Sequence, residues 1–323
     1  MNARAFWVEA PHRGAIRAAS LPTPGPDEVL VETLYSGISR GTELLVYRGG
    51  VPQNQRDAMR CPFQEGSFPG PVKYGYINVG RTVDGQRVFC LFPHQDRYVV
   101  PRDALVPLPD GVPARRAVLT ANLETAINGV WDATPGPGDR IGVIGAGVVG
   151  SLIAWLCGQI PGADVQLIDI NPLREPVARA LGVEFAVAGR ARGELDLVIH
   201  ASGSPAGLSE ALALAGVEAA IVEMSWFGDR AVSLPLGESF HSRRLTIRSS
   251  QVGRIPPERT ARWDYRRRLM LALSLLQDDC LDVLINEESR FEDLPRTLNR
   301  LASHPNGTLC HCVRYPAADI FEE

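Results

Sequence analysis

The pattern of apolar and polar positions divides the chain into two regions. Up to about residue 110, short β-type apolar runs alternate with turns rich in proline and glycine, which is typical of a small β-rich domain. Strands are predicted there at 29–35, 87–92 and 96–100. From residue 140 onward, apolar runs of strand length alternate with helical segments, which is typical of a doubly wound parallel sheet. The strands are predicted at 140–144, 164–169, 195–200 and 219–224, and the helices at 150–159, 172–181 and 205–215.

The remaining segments complete an organisation in two domains. Helices are predicted at 113–131, 263–279 and 291–302, and a strand at 309–315. Residues 47–73 show no periodicity, and irregular segments of that length are commonly lids or binding loops. We therefore predict an α/β protein with a β-rich domain at 1–118, completed by 263–323, and a doubly wound domain at 119–262.

Composition narrows the class of protein. The 323 residues suit two domains, and a charged fraction of 22% is typical of a soluble globular protein. A net charge of −4 argues against nucleic acid or an anionic membrane as the partner. The six cysteines include no CxxC pair, which indicates reduced thiols and a cytoplasmic protein. The charges at Arg4 and Glu9 interrupt any apolar segment near the start and argue against a signal peptide. Residues 141–160 carry no charge and are long enough to cross a membrane, but their glycines favour a strand, a turn and a buried helix.

A glycine-rich turn joins the first strand and helix of the doubly wound region. Gly145-Ala-Gly147-Val-Val-Gly150 follows a hydrophobic strand, and Asp169 ends the next strand about 20 residues later. Gly145 permits a tight turn, Gly147 lets the backbone approach a pyrophosphate, and the helix N-terminus offers free N–H groups to it. Asp169 would accept hydrogen bonds from ribose hydroxyls and repel a 2′-phosphate, which favours NAD(H) over NADP(H). The alternative is a domain that binds another nucleotide or none.

The third strand of this region ends in another candidate turn. His200-Ala-Ser202-Gly203 leads to the carboxyl edge of the sheet, where ligands of such folds bind. The alternative is an ordinary turn. The predicted cofactor-binding residues are Gly145, Gly147, Val148, Val149, Gly150, Asp169, Ser202 and Gly203.

The order of these parts resembles the medium-chain dehydrogenase/reductase family over nearly the whole chain. Residues 36–43 resemble the segment that carries the first catalytic zinc ligand, and 75–80 resemble the family's GHE segment. The Ser-Gly-Ile-Ser-x-Gly-Thr-Glu pattern looks closest to the hydroxyethyl-bacteriochlorophyllide dehydrogenase branch. The resemblance implies a GroES-like catalytic domain, a Rossmann domain and a cleft between them. It also implies a homodimer or homotetramer, with 231–236 resembling a strand that pairs across the dimer.

The chain departs from this family at the zinc ligands. Ser39 stands where the thiolate is expected, Tyr76 replaces the histidine, Ile77 replaces the glutamate, and Glu124 is offset from the third position. Neutral hydroxyls are poor zinc ligands, and 88–98 is too short for the lobe with four structural cysteines. We predict neither a catalytic nor a structural zinc. Two further pairs could bind a metal but are read as ordinary strand residues: Cys90 with His94, and Cys310 with Cys312.

Without zinc, side chains must polarise the reacting group. Lys73, the only lysine, lies three residues before Tyr76, and a nearby ammonium favours a phenolate. We predict Tyr76 as the general acid or base, Lys73 as its assistant, and Ser39 as the group that orients the substrate oxygen. Alternatively, Tyr74 and Tyr76 only fill the vacated zinc cavity. The candidate substrate contacts are Arg40, Glu43, Tyr74 and His94; the alternative for Arg40 and Glu43 is that they pair with each other.

Three functions remain open on the sequence alone. The first is an NAD(H)-dependent, metal-free oxidoreductase that interconverts a secondary alcohol and a ketone on a medium-sized polar small molecule. The second is a zinc-independent quinone or enone reductase, against which Asp169 counts because that class prefers NADPH. The third is a non-catalytic dinucleotide-binding scaffold or redox sensor. Nine arginines between 243 and 268 either clamp an anion or form a solvated or subunit-contact face, and 49–71 is expected to select the substrate.

Overall fold

The computed structural model describes residues 2–304 and 307–321, and the chain divides into two compact units. The first unit comprises Met1–Ala121 and Leu269–Glu323, and the second comprises Asn122–Arg268. The bounds expected from the sequence, 118 and 262, lie within a few residues of these. Each unit has its own sheets and its own apolar core.

The first unit begins with an antiparallel hairpin of strands β1 (Asn2–Ala10) and β2 (Arg13–Ser20). A larger mixed sheet is centred on β3 (Glu28–Ile38), which is eleven residues long. Two-residue strands β4 (Glu65–Gly66) and β5 (Val72–Lys73) extend the hairpin sheet from the β1 side. The other strands of the larger sheet are β6 (Asn78–Thr82), β7 (Arg87–Cys90), β8 (Arg97–Pro101), β9 (Val106–Pro107), β16 (Ile285–Arg290) and β17 (Cys310–Arg314).

Helices close the first unit against these sheets. Helix α1 (Arg40–Tyr47) starts directly after β3, so the turn at Ser39 is fixed by the end of a buried strand. Helix α8 (Leu294–Ser303) buries Leu294, Leu298 and Leu301, the spacing of one helical face. The other helices are α7 (Tyr265–Leu275), which crosses the boundary between the units, and α9 (Pro316–Phe321).

The second unit is a six-stranded parallel sheet with helices between its strands. Its strand order is β12-β11-β10-β13-β14-β15. The strands are β10 (Arg140–Ile144), β11 (Asp164–Asp169), β12 (Glu184–Val187), β13 (Leu195–His200), β14 (Ala215–Glu223) and β15 (Thr246–Ser249). The helices are α2 (Thr120–Ala133), α3 (Val148–Gly158), α4 (Glu175–Ala180), α5 (Pro205–Leu214) and α6 (Pro257–Thr260). The sheet is buried on both faces, as near-continuous apolar strands require, and the predicted α/β class with a doubly wound sheet is confirmed.

Several sequence-based expectations for individual elements were wrong. The hairpin β1–β2 and the edge strands β12 and β15 were not predicted, because alternating or polar-rich edges give a weak pattern. Residues 231–235 are in no strand of the single chain, and the expected pairing of 231–236 across a dimer stays a prediction. The helix expected at 113–131 is a 3-10 turn at 116–119 followed by α2.

The uncharged stretch 141–160 forms β10, the glycine turn and α3, as its glycines indicated. Within 2–304 and 307–321, no helix is long and apolar enough to span a membrane.

Candidate active site

The glycine turn lies between β10 and α3 and is shaped by close backbone packing. Gly145 has a φ of +107°, and a Cβ there would lie 2.7 Å from the backbone of the β13–α5 turn. A Cβ on Gly150 would lie 1.9 Å from the carbonyl oxygen of Gly145. A Cβ on Gly147, by contrast, would meet no atom within 4 Å. Gly147 therefore leaves open space beside the N–H groups at the start of α3, where Val148 and Val149 are half-buried, and this cradle fits a pyrophosphate.

Asp169 ends β11 beside this turn and binds it directly. Its Oδ2 accepts a hydrogen bond from the N–H of Ala146 at 2.7 Å, and its Oδ1 accepts one from the N–H of Asn171 at 2.8 Å. A carboxylate has about four acceptor positions, so these bonds orient Asp169 and leave capacity for ribose hydroxyls. Arg174 was missed by the sequence analysis. Burial lowers the pKa of this half-buried guanidinium, and the charge of Asp169 acts in the raising direction. Arg174 is therefore near enough to Asp169 to interact with it electrostatically.

Ser202 and Gly203 lie just after the carboxyl end of β13. His200 of β13 contacts Ser202, and Ser225, which follows β14, contacts Gly203. The exposed Ser202 hydroxyl lies 2.6 Å from Nε2 of the buried His200, whose Nδ1 lies 2.6 Å from Glu223 Oε2. The N–H of Gly203 donates to Ser225 Oγ at 3.0 Å. The sequence did not reveal this chain of contacts, because Glu223 is distant in sequence and reaches His200 only through the β13–β14 register.

Three hydroxyl groups meet within the first unit. Ser39 lies in the turn between β3 and α1, Thr42 is in the first turn of α1, and Tyr76 lies between β5 and β6. Tyr76 Oη donates to Ser39 Oγ at 2.7 Å, and the Thr42 hydroxyl is near enough to act on the pKa of Tyr76 in the lowering direction. Sequence reasoning brought out Ser39 and Tyr76 but missed Thr42. The structure brings all three together, so any small molecule bound here would meet hydroxyls as donors and acceptors.

A chain of buried polar groups supports this hydroxyl cluster. Glu43 Oε1 accepts a hydrogen bond from the N–H of Ser39 at 2.8 Å, and Glu43 Oε2 lies 2.8 Å from His94 Nε2. His94 Nδ1 lies 2.7 Å from Ser36 Oγ, which lies 3.1 Å from Tyr315 Oη. All but Ser39 are at most 5% exposed. Buried polar networks of this kind fix one geometry, because every member would lose its partner if another moved.

The environment of Tyr76 keeps its phenol protonated. Burial raises the pKa of Tyr76 above its ordinary value, and the nearby Glu43 carboxylate raises it further. Hydrogen bonds with Ser39 and Thr42 act in the lowering direction but do not offset burial. Tyr76 therefore acts as a hydrogen-bond donor at neutral pH.

Comparison with known proteins finds that the chain is similar to several alcohol dehydrogenases. No family model matches the chain. An uncharacterized zinc-type alcohol dehydrogenase-like protein of Haemophilus influenzae is 26% identical, over 95% of this chain and 97% of its own length. D-guloside 3-dehydrogenase of Escherichia coli is 23% identical over 91% of each chain. The 2-desacetyl-2-hydroxyethyl bacteriochlorophyllide A dehydrogenase of Rhodobacter capsulatus is 27% identical over 64% of this chain and 68% of its own.

Solved structures agree with these sequence matches. An E. coli alcohol dehydrogenase complexed with NADH superposes with a TM-score of 0.76 and 18% identity, covering 97% of this chain and 99% of that one. A zinc-binding dehydrogenase of Sinorhizobium meliloti bound to NADP gives a TM-score of 0.75, 18% identity and the same coverage. The chain is a relative of the zinc-type medium-chain alcohol dehydrogenases. The resemblance expected from the sequence is confirmed.

The residues of this chain do not fit the zinc site that the names of these similar proteins imply. Ser39 and Tyr76 hydrogen-bond to each other, Ile77 is buried and apolar, and Glu124 lies 3.1 Å from the buried guanidinium of Arg268. Zinc requires thiolate, imidazole or carboxylate ligands, and protonated hydroxyls are poor substitutes. Within the described part of the chain, no three His, Cys, Asp or Glu side chains are grouped so as to hold a metal ion.

The two cysteine pairs considered from the sequence are buried elsewhere in the strands. His94 is engaged on both ring nitrogens by Glu43 and Ser36. Burial raises the pKa of the Cys90 and Cys310 thiols to about 12, so both are protonated at neutral pH in the metal-free protein.

The assistance expected from Lys73 is not found in the structure. Lys73 is buried on β5, where its ammonium pairs with the Glu65 carboxylate and donates to Gln95 Oε1 at 2.8 Å. Neither partner belongs to the hydroxyl cluster, and the pKa of Tyr76 is raised where an adjacent ammonium would lower it. The physical reason is the backbone at Gly75, whose φ of +135° turns the chain between the two side chains.

Two other candidate substrate contacts also have defined places. Arg40 Nη1 donates to the carbonyl of Thr308 while Glu43 binds Ser39 and His94, so the alternative that Arg40 and Glu43 pair is not supported. The Tyr74 ring packs 5.5 Å from Phe68 and 6.1 Å from Tyr76, and Tyr74 is 5% exposed. Tyr74 is thus a buried residue whose ring packs against the ring of Tyr76.

The arginines between 243 and 268 disperse over the second unit. Arg243 pairs with Glu194 at 2.6 Å, and Arg248 lies 3.6 Å from Asp132. Arg268 is buried and donates to the carbonyl of Val252 at 2.6 Å. The guanidiniums of Arg259 and Arg267 stack on Trp131 and Trp263. These arginines have contacts within the unit that account for their positions.

Proposed function

We propose that this protein is an NAD(H)-dependent oxidoreductase that interconverts a secondary alcohol and a ketone without a catalytic metal. The observation that carries the proposal is the hydrogen bond between Tyr76 and Ser39. By the resemblance, these residues stand where two zinc ligands are expected, and each carries a hydroxyl group that can donate a hydrogen bond. Two hydroxyls held in this way can polarise a carbonyl oxygen, which is the task a metal performs as a Lewis acid.

The glycine turn and Asp169 support a nicotinamide dinucleotide as the cofactor. The turn at Gly145–Gly150 would hold the pyrophosphate, and Asp169 would accept hydrogen bonds from the ribose. The carboxylate would repel a 2′-phosphate, although Arg174 nearby weakens that repulsion. A bound dinucleotide supplies or accepts the hydride. One structural neighbour was crystallised with NADH and another with NADP, so the preference for NAD(H) rests on Asp169.

The proton is supplied by the hydroxyl cluster. In ketone reduction, the oxygen gains negative charge as the carbon accepts hydride, and an alkoxide is far more basic than a phenol. Because burial keeps Tyr76 protonated, its Oη can donate through Ser39 Oγ to that oxygen. Glu43 and His94 do not touch the substrate in this scheme; they hold the Ser39 backbone in place.

The substrate class follows from the polarity of the cluster and from the relatives. The hydroxyls of Ser39, Thr42 and Tyr76 suit an oxygen-rich molecule with a secondary hydroxyl. D-guloside 3-dehydrogenase, a relative over 91% of the chain, oxidises a sugar by its name, which supports a polyhydroxylated substrate.

Three measurements on the purified protein test the proposal. NADH and NADPH titrations should show saturable binding, with NADH the tighter. Metal analysis should find no stoichiometric zinc. A panel of polyols, secondary alcohols and their ketones should show turnover that enones and quinones do not. Turnover of enones alone would favour the quinone or enone reductase, and dinucleotide binding without any turnover would favour the scaffold.

A further inference from the structure

The first unit contains a cavity that the proposed chemistry does not use. It has a volume of about 410 Å³ and lies between the β1–β2 hairpin and the segment around β4 and β5. Cavities of this size hold small organic molecules. Ser39, Thr42 and Tyr76 are not among its lining residues.

Lys73, the only lysine of the chain, lines this cavity. The residue is 3% exposed, and its ammonium donates to Gln95 and pairs with Glu65. The Glu65 side chain is 60% exposed and sits on a strand of two residues. An exposed carboxylate contributes little to an ion pair, because water solvates it nearly as well when it is released. Glu65 is therefore a counterion that another carboxylate can replace.

A second donor lines the same cavity. Gln64 is 8% exposed, and its Oε1 accepts a hydrogen bond from the N–H of Cys61 at 3.3 Å. Its Nε2 is buried, and within the described residues it has no hydrogen-bond partner. A buried donor without an acceptor costs about 1–3 kcal/mol. The cavity thus presents an ammonium whose acceptors are Gln95 and the exposed Glu65, and an amide N–H₂ that has no acceptor within the described residues.

Most of the other lining residues are aromatic or aliphatic, and Ser20, Gln95 and Tyr98 are the polar ones. The rings of Phe92 and Tyr98 stack at 3.9 Å, and Phe63 packs 5.3 Å from Phe92. Trp7 and small alanines of the hairpin line the facing side. The Lys73 ammonium lies 5.1 Å from the centre of the Phe92 ring, so a planar hydrocarbon body beside these rings would also lie beside the charge.

We propose that this cavity is a second ligand site, which binds a small organic carboxylate with a flat apolar body. The carboxylate replaces Glu65 at the Lys73 ammonium and accepts a hydrogen bond from Gln64 Nε2. The planar body lies against Phe92. This site is separate from the hydroxyl cluster, and the proposal holds whatever the outcome for the proposed reaction.

Benzoate is the probe, and benzamide is its uncharged counterpart of similar shape. Isothermal titration of the purified protein, in a buffer without carboxylates, should show one saturable site for benzoate per chain. Benzoate should bind at least tenfold more tightly than benzamide, because only benzoate replaces the charge of Glu65. Equal affinities, or no saturable benzoate binding, would overturn the proposal.

Two variants assign the site to these residues. Lys73→Met should reduce benzoate affinity at least tenfold. Glu65→Gln removes the competing carboxylate at an exposed position and should tighten benzoate binding several-fold while benzamide binding stays the same. Glu65→Gln remains informative if Lys73→Met does not fold, and unchanged or weaker benzoate binding in Glu65→Gln would also overturn the proposal. Glu28→Gln, an exposed change outside the cavity lining, should bind as the unaltered protein does.

Discussion

His94 Nε2 lies 2.8 Å from Glu43 Oε2 in the interior of the first unit, and neither side chain is more than 5% exposed. This contact joins the loop before β8 to the first helix. Through Glu43 Oε1 it also fixes the backbone N–H of Ser39. The hydroxyl cluster is thus supported by a buried pair and does not depend on flexible surface groups.

Removing one member of this pair should destabilise the protein strongly. His94→Ala leaves the buried Glu43 carboxylate and the buried Ser36 hydroxyl without the imidazole that contacts both, and a buried polar group left unsatisfied costs about 1–3 kcal/mol. Urea unfolding followed by circular dichroism measures the loss. His241→Ala, at an exposed position, is the matched control and should change the free energy of unfolding by less than about 0.5 kcal/mol. Equal stability of the two variants would show that the His94–Glu43 contact contributes nothing.

Tyr76→Phe should lower the turnover number about 100-fold or more, because a positioned acid contributes about 10²–10⁴. The affinity for NADH should not change, since the glycine turn is untouched. Steady-state kinetics on the best alcohol of the panel gives the first quantity, and fluorescence titration gives the second. Tyr74→Phe is the control, as its ring stands 6.1 Å from Tyr76 and its hydroxyl has no role in the scheme. Near-normal turnover in Tyr76→Phe would mean that the ring only fills space.

Asp169→Ala should weaken NADH binding at least tenfold and narrow the difference between NADH and NADPH. The carboxylate both accepts from the ribose and repels the 2′-phosphate, so its removal acts in opposite directions on the two cofactors. Asp164→Asn, at the other end of β11, removes a carboxylate that pairs with Arg192 at the surface and should leave both affinities unchanged. An unaltered NADH affinity in Asp169→Ala would place the ribose elsewhere.

Acid should remove a contribution that Glu287 makes to stability. Burial alone would raise the pKa of Glu287, but hydrogen bonds from Arg300, Thr308 and His311 outweigh it and lower the pKa to about 2. A carboxyl whose pKa is lower in the folded state stabilises fully above its unfolded pKa, and this contribution is lost as the pH falls toward 2.

Between pH 4.5 and pH 3.5 the loss should be about 1 kcal/mol. Urea unfolding at several pH values should therefore show a steeper acid decline for the unaltered protein than for Glu287→Gln. Parallel declines in the two proteins would contradict the contribution assigned to Glu287.

The sequence was most informative where a pattern is local. The strands at 140–144, 164–169 and 195–200 were predicted to the residue, because each is a short and mostly apolar run of strand length. The glycine turn was also found because its pattern is local: the three glycines lie within six consecutive residues.

Contacts between distant residues could not be predicted in this way. Proximity in sequence placed Lys73 beside Tyr76, but the turn at Gly75 separates them. Conversely, His94 in a loop meets Glu43 in α1, and His200 meets Glu223 across two strands whose register no single sequence reveals. Spacing along the chain determines shared faces only inside a regular helix or strand, and the site residues lie mostly in turns.

Two glycines of the same turn should respond differently to an added methyl group. A Cβ on Gly150 would lie 1.9 Å from a backbone carbonyl oxygen, so Gly150→Ala should destabilise the second unit by several kcal/mol or prevent folding. Gly147 has a φ of −78°, which alanine adopts readily, and a Cβ there meets no protein atom within 4 Å. Gly147→Ala should therefore fold with normal stability and weaken NADH binding at least tenfold, because the methyl group occupies the space left for the pyrophosphate. Thermal unfolding and NADH titration of both variants separate the two effects, and normal NADH affinity in Gly147→Ala would show that no phosphate approaches this turn.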